Sequence, residues 1–438
     1  MRSSAWLLAY VLVVMLPLAA AAVVDPVVVR RAWRVEASAA IGFLALSTLT
    51  LQLALVARLG SASRALGSDA LMQLHRRMGI VALALVLAHP LLLAGAAVGW
   101  RAWNPFAGGA LFRAGAVALW VTLVVVVTSL ARAGLRLRYE VWHAVHLAGA
   151  VAILAGSVAH VLLAGGYASH PLVRGVVIAY GGAALAIVVH YRLVRPWRLA
   201  RHPWQVVSND DAGSSTRLLR VAPVGHPGLT FEAGQFIWMA TGRSPVFSQQ
   251  HPLSIASSAA GPSAAGFELA IKALGDWSRD VVPGLSRGAR IWIDGPFGAF
   301  SPDRVPDARG FVLIAGGIGI APMRAMLRTM RDRRDRRPVV LFYAASDPSR
   351  AVFADELATL ENGLALRVIY VYEHPPDDWT GERGYVDEHM LKRHVLANLQ
   401  VWHCFACGPL PMMSAVERSL RRLGVPSTRV HTERFQMV

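Results

Sequence analysis

The stretch HRRMGIVALALVLAH, residues 75–89, opens and closes on histidine around a mostly apolar run. A second stretch, HLAGAVAILAGSVAH at residues 146–160, repeats the layout with the same 14-residue step. In a helix, 14 residues return to within about 40° of the same face and climb roughly 21 Å. An ionisable side chain at membrane depth is costly and marks a functional position by default. How these two stretches are read decides the architecture of the chain.

Both lie in long apolar segments. Runs with little or no charge cover residues 5–24, 37–57, 78–100, 114–131, one span within 141–174, and 175–191. A helix needs about 20 apolar residues to cross the hydrocarbon core, so these runs predict six spans. The first also suits a signal peptide, with Arg2 ahead of it and small residues at its end. Arginine bias sets the orientation. With the C-terminal half inside, Arg2, Arg58, Arg64, Arg76, Arg77, Arg132, Arg136, Arg138, Arg192, Arg195 and Arg198 flank the inner ends. Arg30, Arg31, Arg34, Arg101, Arg113 and Arg174 flank the outer ends. Spans three and five then both run outward. His75 can face His146 at an inner level, and His89 can face His160 at an outer one. Imidazole suits iron, and two axial histidines make a low-spin haem that transfers electrons. The expectation is two haem b groups, with Asp69 capping span three early enough to hold His75 in the helix. A lone membrane histidine is more often a packing or proton-relay residue; the two matched steps carry the haem reading. His143 is the rival to His146, but it stands 17 residues from His160, about 100° further round the helix. His190 reads as interfacial.

The formal charge is +17, with 55% hydrophobic and 16% charged residues. Residues 1–200 hold 17 arginines, no lysine and four acids (Asp25, Glu36, Asp69, Glu140). These arginines flank apolar runs, which fits anionic lipid head groups and a bilayer, not nucleic acid. The two cysteines, Cys404 and Cys407, make no disulfide framework.

The chain changes character near residue 199. Short alternating runs at 204–207, 217–221, 236–239, 267–271 and 290–293 predict a small antiparallel barrel over 199–304. From 305 to 438 the pattern alternates strand and helix, which predicts a doubly wound parallel sheet. There Gly316-Gly317-Ile318-Gly319-Ile320 follows a strand and precedes a helix, a turn that lets backbone approach a pyrophosphate.

In chain order come His251-Pro252-Leu253-Ser254, Gly295-Pro296-Phe297-Gly298, the glycine turn, Cys407-Gly408-Pro409 and Glu433-Arg434-Phe435. This ordered set resembles the flavin and nicotinamide module of the ferredoxin–NADP reductase superfamily. Behind a six-span bundle with paired histidines, it resembles ferric reductases and NADPH oxidases, over roughly residues 35–438. The resemblance implies a membrane domain at 1–198, a β-barrel FAD domain at 199–304 and an α/β NAD(P) domain at 305–438. It implies that His251, Pro252, Leu253 and Ser254 line the flavin, with Ser254 near the reactive ring nitrogen. Lys272, Gly275 and Ser278 would meet the FAD diphosphate. Gly316, Gly317 and Gly319 would meet the pyrophosphate of the nucleotide. Cys407, followed by Gly408, would lie near the nicotinamide, and Phe435 would cover the isoalloxazine. Ser346 and Arg350 would suit a 2′-phosphate, and so NADPH, whereas Asp347 is the kind of residue that NADH sites use.

The resemblance thus implies an enzyme that carries electrons from NAD(P)H through FAD and two haems to an acceptor outside. The first expectation for that acceptor is a ferric chelate, the alternative oxygen. A reading from another class is a haem-binding membrane sensor or partner subunit without turnover. Forty-two arginines against two lysines suit a bacterial chain, and hence the plasma membrane with the soluble half in the cytoplasm.

Overall fold

The computed structural model describes residues 2–24, 32–58, 62–63, 66–93, 103–106, 108–132, 134–137, 139–242, 244–245 and 248–434. Phe435 lies outside them, as do Arg30, Arg31, Arg64, Arg101 and Arg138 of the arginine bias. The chain forms two compact units, Met1–Val194 and Arg195–Val438.

The first unit holds α1 (Arg2–Val23), α2 (Trp33–Val56), α3 (Ser68–Leu91), α4 (Ala110–Leu130), α5 (Tyr139–Ala164) and α6 (Pro171–Val189). All six are long and apolar enough to cross a membrane. Hydroxyls inside them bond back to the preceding turn: Ser47 to Phe43, Thr48 to Leu44, Thr50 to Leu46 and Thr122 to Ala118. These bonds keep the four hydroxyls from facing lipid unpaired. The third helix starts about ten residues before the apolar run that predicts it. It begins after Gly67, so Asp69 lies inside its first turn and Gly67 takes the N-cap position expected for Asp69. The early start puts His75, Arg76 and Arg77 in helix, and the chain leaves the helix just after Pro90.

The second unit opens with α7 (Arg195–Arg201). Strands β1 (Trp204–Asp211), β2 (Thr216–Pro223), β3 (Phe236–Thr241), β4 (Gln250–Ser254), β5 (Phe267–Lys272) and β6 (Arg290–Phe297) form an antiparallel sheet ordered β4-β3-β6-β1-β2-β5. A bridge from Ile255 to Leu269 joins its two edges into a barrel. Strand β4, which carries His251 to Ser254, has no alternating run in the sequence; Pro252 interrupts it.

The rest is a parallel sheet ordered β10-β9-β8-β7-β11-β12. Its strands are β7 (Phe311–Gly316), β8 (Val339–Ala345), β9 (Leu366–Tyr372), β10 (Glu382–Arg383), β11 (His403–Cys407) and β12 (Val430–Glu433). Helices α8 (Ile320–Asp332), α9 (Ala354–Glu361), α10 (Glu388–Leu399) and α11 (Leu410–Arg422) connect them. Strand order reverses between β7 and β11, and open α/β sheets bind ligands at that switch point, outside the carboxyl ends of the strands.

A buried ion cluster joins the barrel to this sheet. Arg324 of α8 donates to the Ala256 carbonyl at 2.9 Å, to Glu268 of β5 at 2.8 Å and to Glu356 of α9 at 2.7 Å. Arg328 donates to the same Glu268 oxygen at 2.6 Å. Burial opposes ionisation of Glu268, but the hydrogen bonds and charges of the two arginines outweigh it and hold its pKa below the ordinary glutamate value. Removing one member of a buried ion pair leaves the other charge stranded, at a cost of about 3–5 kcal/mol. We therefore expect Glu268→Ala to lower the unfolding temperature of the soluble unit in the full chain, followed by tryptophan fluorescence. A depressed carboxylate stabilises the fold above about pH 4.3 and loses that contribution as pH falls through its folded pKa. The gap between wild type and variant should therefore narrow on acidification below that point. An equal gap at pH 7 and pH 3.5 would refute the assignment.

Candidate functional site

In the membrane unit, α3 packs on α2 and α5 packs on α4, while the backbones of α3 and α5 stay apart. Imidazoles bridge that gap at two levels. The ring centroids of His75 and His146 are 6.3 Å apart, and those of His89 and His160 are 5.9 Å apart. With a metal–imidazole bond of about 2 Å and about 1 Å from ring nitrogen to ring centre, two imidazoles on opposite sides of one metal stand about 6 Å apart. Both pairs match that span. A cavity of about 620 Å³ surrounds the 89/160 pair and one of about 200 Å³ the 75/146 pair. Leu49 and Thr122 line both cavities.

Hydrogen bonds orient three of the four rings. His89 Nδ1 donates to the Ser38 carbonyl at 2.7 Å, and His160 Nδ1 donates to the Leu111 carbonyl at 2.9 Å. Ser129 gives its proton to the Val125 carbonyl at 2.6 Å, so its oxygen accepts from His146 Nδ1 at 3.1 Å. Each bond puts the proton on Nδ1 and leaves Nε2 as the bare, metal-binding nitrogen. Ser38 also resolves a backbone defect. Leu93 N–H bonds to the Pro90 carbonyl, which frees the His89 carbonyl, and the Ser38 hydroxyl donates to it at 2.8 Å. Two glycines make room for the rings. A Cβ on Gly42 would sit 3.1 Å from the His89 ring, and one on Gly115 would sit 2.7 Å from His160 Nδ1. Ser38, Ser129, Gly42 and Gly115 carry no signal in a single sequence, because each acts on a histidine of another helix. His143 shares the smaller cavity with His75 and His146, whereas His190 lines neither. At the far end of the larger cavity, Tyr167 donates to Glu36.

In the barrel, His251 stacks on Trp277 with centroids 3.9 Å apart and planes 11° from parallel. Burial pushes its pKa down to about 4, so the ring is neutral near pH 7. His251 Nε2 and Ser254 Oγ are both enclosed without a hydrogen-bond partner among the described residues. Two such orphans on one strand fit a ligand with matching polar edges, as a flavin ring has. Trp277, which donates to Thr241 at 3.0 Å, is a site residue that the motif reading passes over. Ser278 closes its own turn, accepting from the amides of Leu274 and Gly275 at 3.0 Å each.

At the switch point the glycine turn and the Cys407-Gly408 turn pack backbone to backbone. A Cβ on Gly319 would lie 2.1 Å from the Cys407 carbonyl, and one on Gly408 would lie 3.1 Å from Gly316 Cα. Gly317 has φ +53. Lys272, expected at the flavin diphosphate, also comes near this turn: its Nζ is 3.8 Å from where a Gly317 Cβ would be. Burial and the nearby Arg350 lower its pKa, so two cations gather beside the turn. Ser346 is bonded locally. Its hydroxyl donates to Asp347 at 3.1 Å, and Ser349 donates to the other carboxylate oxygen. Cys407 is fully buried at the end of β11. Cys404 faces the opposite side of the sheet, with its pKa pushed up to about 12 by burial. Glu433, buried on β12 beside Cys407, reaches Gly298 of the barrel.

Three families match successive parts of the chain. They are the ferric reductase like transmembrane component over residues 41–157, an FAD-binding domain over 215–301 and an oxidoreductase NAD-binding domain over 313–418. Among curated proteins, the chain is similar to NADH-cytochrome b5 reductase 1 of Aspergillus oryzae, 32% identical over 37% of this chain and 58% of that protein. The protein of that name from Debaryomyces hansenii is 34% identical over 36% and 57%. The chain thus spans just over half the length of these relatives. A solved structure, the Amycolatopsis cytochrome P450 reductase GcoB, aligns at 24% identity and TM-score 0.47, covering 53% of this chain and 69% of that one.

The glycine contacts give a direct test. Gly115→Ala should displace the His160 ring and, if each histidine pair holds a haem, lower the haem content per chain from two to one by pyridine haemochrome assay. Gly182→Ala, which meets nothing within 4 Å, should keep both. Equal haem content in the two variants would show that Gly115 does not shape the site.

Proposed function

Because the chain carries a ferric reductase-like membrane domain, an FAD-binding domain and an NAD-binding domain, the architecture of the ferric reductase and NADPH oxidase superfamily, we propose that it moves electrons from NAD(P)H across a membrane. These are the domains of an NAD(P)H-dependent oxidoreductase. The observation that carries the transmembrane route is the pair of imidazole bridges, 6.3 and 5.9 Å wide, at two levels of one bundle. In this reading His75 with His146, and His89 with His160, hold two b-type haems. Bound FAD would divide a hydride's electron pair, and the haem irons would carry single electrons. In this proposal the soluble unit lies in the cytoplasm and the 89/160 level faces outward across the plasma membrane; the arginine bias supports that orientation.

The chain's own residues do the positioning. His251 and Ser254 offer the enclosed polar atoms that would meet the flavin ring, with Pro252 and Leu253 beside them on β4. Gly316, Gly317 and Gly319 let the nucleotide's pyrophosphate reach backbone amides, and Lys272 with Arg350 supplies its counter-charge. Gly408 keeps the neighbouring turn close, and Cys407 and Glu433 line the end of the sheet where the nicotinamide would lie. Gly275 and Ser278 form the turn assigned to the FAD diphosphate, and Phe435 is assigned to the flavin face.

The acceptor in this proposal is a ferric chelate, with oxygen as the alternative, and one variant tests the route for both. His89→Ala/His160→Ala should lose one haem and at least 90% of the acceptor reduction, roughly a tenfold loss. NADH should still bleach the flavin. Two haems retained, or undiminished acceptor reduction, would defeat the proposal; assays with ferric citrate and with oxygen separate the two acceptors.

The nucleotide is NADH in this proposal. With Ser346 and Ser349 both donating to Asp347, its carboxylate is left to accept from ribose hydroxyls and to repel a 2′-phosphate. The kcat/KM ratio should favour NADH in the wild type. Asp347→Ser should move that ratio toward NADPH by about tenfold, ~1.4 kcal/mol of discrimination. A wild-type preference for NADPH would reverse the assignment.

A further inference from the structure

The last span does not stay α-helical to its end. After Val189 the backbone opens into a π-turn at His190–Val194. Such a turn widens the helix by one residue and shifts the side chains that follow around its axis. Tyr191 and Arg192 line the 75/146 cavity from this turn. Arg192 Nε is fully enclosed and has no hydrogen-bond partner among the described residues. Arg58, just past the end of α2, lays its guanidinium over the Tyr191 ring at 5.8 Å. Both arginines lie within electrostatic reach of His143 on α5. Arg192 thus lines a slot that is otherwise mostly apolar, with Arg58 on the ring of Tyr191, another lining residue. Among the described residues no Asp or Glu lines that slot.

A guanidinium stays protonated at any working pH. Its Nε edge, enclosed in apolar surroundings, favours a counter-anion. Since the lining offers none, the occupant of the slot must supply it, and a planar fork of N–H donors suits a carboxylate. We propose that Arg192, seconded by Arg58, is the carboxylate-holding end of the 75/146 site and binds the propionate groups of the b-type haem placed there. The inference rests on the haem reading above. It also separates two tasks on one helix. His146 faces His75, while His143, one turn nearer the arginines, belongs to the anion-holding end.

Redox titration of the full-length protein in detergent, followed in the haem α-band, resolves two midpoint potentials. Arg192→Gln removes a positive charge beside one haem and so favours its ferric form. One potential should move downward and the other stay, with Arg192→Lys restoring most of the shift. Haem-stripped protein gives a second readout. Wild type should retain haem b several-fold better than haem dimethyl ester, which has no free carboxylate, and Arg192→Gln should retain the two alike. If both potentials and the haem-to-ester ratio match wild type in Arg192→Gln, the assignment is overturned. If the shift instead follows the anionic-lipid content of nanodiscs, with no discrimination against the ester, the arginine holds a lipid head group and the assignment is again overturned. Should Arg192→Gln not accumulate, Arg58→Gln carries the same two readouts. The underlying reading has its own control in His75→Ala/His146→Ala. Two haems retained there would remove the haem itself, whereas one haem lost there with Arg192→Gln silent would defeat the arginine alone.

Discussion

Two imidazoles about 6 Å apart inside an apolar bundle are the constraint on which the membrane unit depends. To meet twice, the histidines must sit 14 residues apart on two helices that run the same way. Those helices cannot also pack on each other, because the rings need the space between them. So α3 leans on α2 and α5 on α4, and the neighbours take on the second task of holding the rings still. Ser38 and Gly42 serve His89 from α2. Ser129 serves His146 from α4, and Leu111 and Gly115 serve His160 from the same helix.

The soluble unit meets a related demand by different means. A flavin site on the barrel and a nucleotide site on the parallel sheet must stay at one separation for hydride transfer, which tolerates little misplacement. Arg324 and Arg328 fasten α8 to Glu268 and to the Ala256 carbonyl of the barrel. Lys272 then crosses from the barrel to the glycine turn. Its strand begins at Phe267, one residue before Glu268, so the same strand both clamps the two domains and brings a cation to the glycine turn.

Periodicity and local motifs are legible in the sequence; contacts between distant segments are not. The histidine pairing can be read because the two histidines of each span stand the same 14 residues apart and the helical repeat converts that count into a face. The glycine turn can be read because a strand and a helix bracket it. The start of α3 is obscured because Arg76 and Arg77 interrupt the apolar pattern, although the helix runs through them. Strand β4 is obscured by Pro252, and α10, β10 and β12 are too short or too polar to stand out. The bond between Ser346 and Asp347 is obscured for a plainer reason: a sequence shows the two side by side but not which way the hydroxyl turns.

The two levels of the bundle are chemically unequal. At the 89/160 level both rings donate to backbone carbonyls. At the 75/146 level His146 donates to a hydroxyl, a weaker acceptor, and Arg192 lines the cavity. A stronger acceptor on Nδ1–H makes an imidazole more electron-donating and favours oxidised iron, while a nearby cation favours reduced iron. If haem occupies both levels, as proposed, these surroundings would make the 75/146 level the easier one to reduce. That bias would suit a first station drawing electrons from a flavin. The 89/160 level would then be the stronger reductant, so its acceptor, not the gradient between the haems, would have to pull the electron across.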